Sequence, residues 1–596
     1  MFPLRRGTLL GALALLAWAL ALAWHMWDRG PDPWIDFGRE LYVPWRLTEG
    51  DALHRDVSWF NGPLSPWWNA AWMALCGVSF DTLQWVNLGV ALAASALLFG
   101  LVRAATDGYG AAFALALFFP MFAFSQQKAI GNYSFLAPYS HCIVHGFVLS
   151  LVTLALLQRA ARRTGLSLWA LAGVVLGGVF LTKAEVFVAA AAATAAVFAL
   201  RALRREPWLA RAAACGAGSA AALAAAWLGL RQSLSAHDAT LALLGTWRYA
   251  LDPALSSLSF YDEMRGTDAP LASILETLRV IGIAACLLLA LLGLARLAPE
   301  QARGARRTLL LGALAATGAA LVFGLLTELP VEPTLRPLPL ALMALAFVAL
   351  RRTLRGEGAA ERERGVAALV FAVFSLSLTA KLGLRVTARD YGFVLAAPGA
   401  TLVFATLLAD LPRALGATAL GRARVRATLG GALLGLALAH LHATHVRLER
   451  RSITVLDGGD RIRVMPWRGD TLAPLLRELD RIVPYDGTLL VLPEGVMVNY
   501  WLRRRAPISV YNFMPPELLM FGEDKILADL EAHPPDVVLL AHKETPEYGD
   551  RFFGHGYGEA LLGWVQSHYR EVTRFGAAPL LSTEWGASIL LPRDHP

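Results

Sequence analysis

Residues Asp28 to Trp68 read DRGPDPWIDFGRELYVPWRLTEGDALHRDVSWFNGPLSPWW and follow directly on the first long apolar segment. They are too polar to cross a bilayer, yet five of them are tryptophans: Trp34, Trp45, Trp59, Trp67 and Trp68. Asp36 is placed to start a helix. Pro44 disturbs that helix because proline lacks an N–H, and Gly50 suits its end. A second helix is specified by Ser65 as N-cap, Pro66 at the first helical position and Gly77 as stop. Trp68 and Trp72 then share one face, as expected of a helix lying in the membrane–water interface. Residues 28–80 therefore read as a first outer loop with two interfacial helices.

The rest of the chain explains why such a loop is needed. The 596 residues are 56% hydrophobic and only 17% charged, and the mean hydropathy is +0.48. That composition belongs to a polytopic α-helical membrane protein. Apolar runs mark about thirteen spans: 7–27, 81–103, 108–126, 141–158, 167–182, 184–200, 209–231, 272–296, 308–328, 337–352, 366–384, 391–410 and 427–446. Arg5 and Arg6 before the first run resemble the start of a signal peptide, but the run is long and no small-x-small cleavage site follows, so it reads as a retained span. The formal charge of +8 sits in short arginine clusters between spans, the positive-inside pattern rather than a nucleic-acid surface.

The clusters Arg5/Arg6, Arg159/Arg162/Arg163, Arg201/Arg204/Arg205, Arg303/Arg306/Arg307, Arg351/Arg352/Arg355 and Arg422/Arg424/Arg426 all fall on one side if thirteen spans begin inside. The N-terminus is then cytoplasmic, in an inner-membrane, multi-pass protein. Loops 28–80 and 232–271 and the C-terminal region lie outside. Runs 167–182 and 184–200 are short for a bilayer, which draws Lys183 and Glu185 toward membrane depth; snorkelling to the interface is the plainer alternative. Beyond Arg451, short apolar runs such as 487–492 and 536–540 alternate with helical stretches, so 451–596 reads as a small extracytoplasmic α/β domain after a transmembrane domain of residues 1–450. The four cysteines are scattered and imply neither a disulfide framework nor a zinc ribbon.

Five lysines stand against forty-nine arginines, and Lys128, Lys183 and Lys381 lie at the outer ends of spans, joined by Arg389 beside Asp390 and Tyr391. Cations gathered at the outer leaflet suit an anionic headgroup, phosphate above all. Tyr139, His141 and His145 begin another span. The two histidines, at i and i+4, face one way and suit a shared metal, a pair of donors to an anion, or simply structural hydrogen bonds. No GxGxxG or Walker loop is present, so a soluble nucleotide is not required. A carboxylate, cationic partners and apolar surroundings fit transfer from a lipid-linked phosphate.

With Asp32-Pro-Trp-Ile-Asp36-Phe-Gly-Arg-Glu40 and Asn61-Gly-Pro-Leu-Ser-Pro66 in its first outer loop, the chain resembles the GT-C glycosyltransferases, which use polyprenyl-phosphate sugars. It is most similar to the bacterial branch grouped with protein O-mannosyltransferases and lipid A aminoarabinose transferases. The resemblance implies an inverting glycosyltransferase with Asp36 as catalytic carboxylate and Glu40 as a second acid. Lys183, Arg389, Lys128 and Lys381 would bind the donor phosphate; His141, His145, Tyr139, Glu185 and Tyr391 would bind substrate. The implied partners are a polyprenyl-phosphate sugar, a lipid, glycan or protein acceptor and membrane lipids, with no nucleic acid. Many members carry a second acidic motif in the second outer loop, whereas residues 127–145 here contain no Asp or Glu. That leaves open a divalent metal held by Asp36, His141 and His145, or a metal-independent reaction. A lipid-linked glycan flippase would show broken helices or an inverted repeat, neither of which is evident. A non-catalytic scaffold with a partner-binding outer domain is the other alternative.

Overall fold

The computed structural model of the protein describes residues 6–128, 134–298, 303–388, 391–416 and 418–594. Among them, eleven helices are long and apolar enough to cross a membrane, and two shorter apolar helices, 108–123 and 167–180, complete the thirteen segments. This is a multi-pass membrane protein. The expected pair of short spans around Lys183 is half right. The helix Ser167–Phe180 has 14 residues, about 21 Å at 1.5 Å per residue, but Ala184–Leu203 has 20, about 30 Å and enough to span.

The arginine-rich ends of the helices meet one another. Arg162 pairs with Glu363 at 3.7 Å, Arg426 with Asp107 at 3.8 Å, and Arg204 donates to the Thr353 carbonyl at 3.5 Å. The opposite end of the bundle carries the C-terminal residues. There, after a two-stranded ribbon of β1 (Ile453–Val455) and β2 (Ile462–Val464), a four-stranded sheet forms from β3 (Leu489–Leu492), β4 (Val537–Ala541), β5 (Tyr569–Gly576) and β6 (Gly586–Pro592). Its order is β3-β4-β6-β5, with β3 parallel to β4 and the other two pairings antiparallel.

The sheet's two faces have different partners, because successive side chains on a strand point oppositely. Leu490, Leu492 and Val538 turn toward Ile526, Leu530, Leu561 and Val565 of the domain's own helices. Leu489, Val491, Val537, Leu539 and Ile589 turn toward Trp34, Phe37, Leu41, Tyr42 and Trp45 of the first loop. The loop is thus part of the C-terminal core. α1 (Arg6–Met26) delivers the chain to it, and α2 (Arg39–Thr48) is buried from Arg39 to Arg46. This differs from the expected pair of interfacial helices: the sheet covers α2. α3 (Leu64–Cys76) does keep an open face, with Leu75 78% and Trp68 43% exposed. Its N-cap is Pro63 rather than Ser65, and Gly77, at φ +96°, ends it as expected.

Candidate active site

Asp36 does not cap a helix. Its φ is +53°, in the left-handed region that Asp tolerates better than most residues, and α2 begins only at Arg39. The kink frees two groups for long-range contacts. The Asp36 N–H donates to Glu494 Oε1 at 2.7 Å, and Arg39 Nη2 donates to Asp36 Oδ1 at 2.6 Å. The carboxylate stays 29% exposed while the guanidinium is only 5% exposed. Arg39 also donates to Glu517 Oε1 at 3.2 Å and to the Tyr139 hydroxyl, lying 4.8 Å from that ring and 5.0 Å from the ring of Phe60.

These contacts set the electrostatics. Burial works against the Arg39 charge, but Tyr139, Asp36 and Glu517 outweigh it and hold the guanidinium well above its usual range. Burial pushes Glu494 up to about 7 against the opposing pull of Lys543, with the charge of Asp36 adding to the rise. The Lys543 ammonium lies 3.4 Å from Glu494 Oε2. Burial likewise raises Glu517, partly offset by Arg39. A narrow pocket bounded by Trp34, Asp36, Arg39, Glu494, Tyr511 and Asn512 has room of about 10 Å³, close to the space one water needs. A far larger cavity of about 240 Å³, walled by Leu154, Val197 and Phe371, lies at the arginine-rich end.

Tyr261 lies on the short helix Ser259–Arg265. Its hydroxyl is pushed up to about 12, by burial first and then by the charges of Glu517 and Asp36. Arg265 sits 5.8 Å from that ring, and its carbonyl accepts the Leu384 N–H at 2.8 Å. Lys381 is exposed directly after the helix Ala359–Ala380. Lys183 Nζ lies 3.4 Å from Glu185 Oε1. Lys183 and Glu185 therefore form an ion pair, and Arg265 stands beside Tyr261.

The other expected residues are distributed differently. Glu40 faces away from Asp36: its Oε2 accepts the backbone N–H of His141 at 3.1 Å and pairs with His141 Nδ1 at 2.7 Å. His141 Nε2 meets the Asn87 amide at 3.0 Å. His145 Nδ1 pairs with the Ser65 hydroxyl at 3.0 Å, which is why Ser65 does not cap α3. With both nitrogens of His141 engaged, Asp36, His141 and His145 are not fitted to share a metal. Among the described residues they do not converge as one ligand set. Lys128 is half-buried on another segment, its carbonyl accepting from Gln126 at 3.0 Å. Arg389 lies outside the described residues, as does the side chain of Tyr391. Sequence reasoning missed Arg39, Glu494, Glu517, Lys543 and Tyr511. The one trace was Pro493-Glu494-Gly495, a carboxylate placed directly after an apolar strand.

No family profile matches the chain, and no curated protein matches it. Solved structures do superpose along most of its length. An oligosaccharyltransferase of Archaeoglobus fulgidus, crystallised with zinc and sulfate, is 13% identical; the match covers 88% of this chain and 67% of that one, with a TM-score of 0.49. ArnT from Cupriavidus metallidurans, bound to undecaprenyl phosphate, is 11% identical, with 97% of each chain covered and a TM-score of 0.46. At such identities and TM-scores no residue role passes from them to this chain.

Proposed function

We propose that the protein is an inverting membrane glycosyltransferase that moves a sugar from a polyprenyl-phosphate donor to a hydroxyl on a lipid, glycan or protein acceptor. The observation that carries this reading is Asp36. It is a partly exposed carboxylate fixed by Glu494 and Arg39 beside a small pocket.

The chemistry follows from those positions. Asp36 takes the proton of the acceptor hydroxyl as its oxygen attacks the anomeric carbon, and the bond from that carbon to the phosphate oxygen breaks with inversion. Lys183 and Lys381 stabilise the leaving phosphate, whose lipid tail stays in the bilayer. Arg39 holds the Asp36 carboxylate in one orientation, and Tyr139 and Glu517 hold Arg39. Glu40, on α2, accepts from His141 and positions the start of the helix His141–Ala160 rather than touching substrate. By the positive-inside rule the site faces away from the cytoplasm, with the sheet domain on the outer surface of the inner membrane.

The test begins with mass spectrometry of glycolipids that accumulate in cells lacking the protein, which identifies the donor. Transfer from that purified donor is then measured in proteoliposomes with wild type and Asp36→Asn. Undiminished transfer by a normally folded Asp36→Asn protein would remove this mechanism.

A further inference from the structure

Away from Asp36, a second group of ligand-type side chains is assembled where the first and last membrane helices end. His25 lies in the final turn of α1, and His445 and Glu449, four residues apart, share a face near the end of the helix Ala419–Glu449. His25 Nε2 and His445 Nδ1 are 3.3 Å apart, with ring centroids at 5.2 Å. One ligand atom from each of the three residues lies within 4.8 Å of the other two. His25 is half-buried while His445 and Glu449 are open to the surroundings, so an ion has a way in.

The nitrogen separation matters. A tetrahedral zinc with bonds of about 2.0–2.1 Å to two imidazoles holds their nitrogens about 3.3 Å apart. We infer that His25, His445 and Glu449 form a binding site for a divalent transition-metal ion of the zinc type. A water takes the fourth position, and the ion clamps α1 to the last membrane helix. Two imidazoles and one carboxylate select such an ion over magnesium or calcium, which prefer all-oxygen sites.

Arg29 is the neighbour that must be accommodated. Its Nη1 donates to Glu449 Oε1 at 3.0 Å, which leaves Oε2 for the metal and orients the carboxylate. Arg29 also lies 3.4 Å from the His25 carbonyl and 3.5 Å from His25 Nδ1. The contact with Nδ1 is the longest of these, and it is the one given up when Nδ1 carries the proton in the metal-bound tautomer. The clamp sits at the root of the seam, since α1 leads into the Asp36 loop and the last membrane helix leads into β1.

The experiment uses the full chain, purified in detergent and stripped with a chelator. Zinc is titrated against a competing fluorescent chelator, and cobalt is added for its visible d–d bands, which report tetrahedral geometry. One equivalent of zinc is expected, with affinity falling as pH drops, because protons compete with the ion for the imidazole nitrogens. His25→Ala and His445→Ala should each weaken binding by at least about 100-fold, and Glu449→Gln should weaken it less. Zinc should raise the unfolding midpoint of the wild type but not of the histidine variants, all of which should match in chelator. Absence of stoichiometric binding, or binding that survives both histidine substitutions, would reduce the cluster to a hydrogen-bonded histidine pair and overturn the inference.

Discussion

Asp36 and Glu494 are 458 positions apart in the chain, and the N–H of the first donates to the carboxyl of the second at 2.7 Å. Around that bond, Trp34 and Phe37 pack on the sheet face that carries Val491 and Leu539, and Arg39 reaches across to Glu517. The loop after the first span and the domain after the last one therefore form a single folding unit. A carboxylate on a loop is aimed here by a buried core, which gives it the fixed position that proton transfer needs.

Asp36→Asn keeps the size and the backbone N–H of the side chain's residue but removes its basicity. Sugar transfer is expected to fall by about 10²–10⁴-fold, while the thermal midpoint stays near that of wild type because Asp36 is partly exposed and its ion pair with Arg39 is replaced by a neutral contact. Turnover and unfolding measured on the same preparation check both halves.

The pH dependence of stability should report Glu494. Burial raises its folded value to about 7, partly opposed by Lys543, above the ordinary value for a glutamate near about 4.3 in the unfolded chain. The folded state therefore binds the extra proton. The stabilisation is complete below the unfolded value and is lost as pH rises through about 7. Glu494→Gln can still accept the Asp36 N–H but cannot ionise, so it should flatten this slope. Midpoints of wild type and variant that differ equally at about pH 5 and about pH 8 would contradict the assignment.

The membrane segments were legible because their signal is local: apolar runs and arginine clusters place thirteen helices without knowledge of contacts. Asp36 was legible too, though for an incomplete reason, since a residue read as a helix start sits in a left-handed kink. Arg39, Glu494, Glu517 and Lys543 were not legible. Arg39, Glu494 and Glu517 act through pairings across hundreds of residues, Lys543 acts through Glu494, and nothing within a turn of each one shows that it will be buried. The same limit explains α2, whose Trp45 suits a membrane interface and an aromatic core equally well, and only the C-terminal domain decides between them.

Glu40 separates positioning from catalysis. Its Oε2 receives both the N–H and the ring of His141, with the two side chains 2% and 0% exposed. Glu40→Ala strands those donors in the interior and should cost about 1–3 kcal/mol for each donor left unpaired, whereas Glu40→Gln keeps an acceptor and should cost less. Transfer should fall in proportion to the folded fraction. A Glu40→Gln protein that is fully folded yet inactive would instead place Glu40 among the reacting groups.

Gly38 tests the seam itself. A Cβ at that position would stand 2.5 Å from the backbone nitrogen of Met497 and 2.9 Å from its Cα. Gly38 has φ −53°, so glycine is required there by the closeness of the two segments and not by backbone conformation. Gly38→Ala must push the Met497 backbone away from the loop, at about 1–3 kcal/mol. Because Glu494 is three residues from Met497, the same displacement loosens its hold on Asp36. Transfer should then drop further than the loss of folded protein accounts for. Gly100→Ala is the matched control: its new Cβ meets nothing within 4 Å and it lies inside a helix, where alanine is favoured over glycine by about 1 kcal/mol. Equal behaviour of the two variants in unfolding and in transfer would mean that the contact between loop and sheet domain does not govern the position of Asp36.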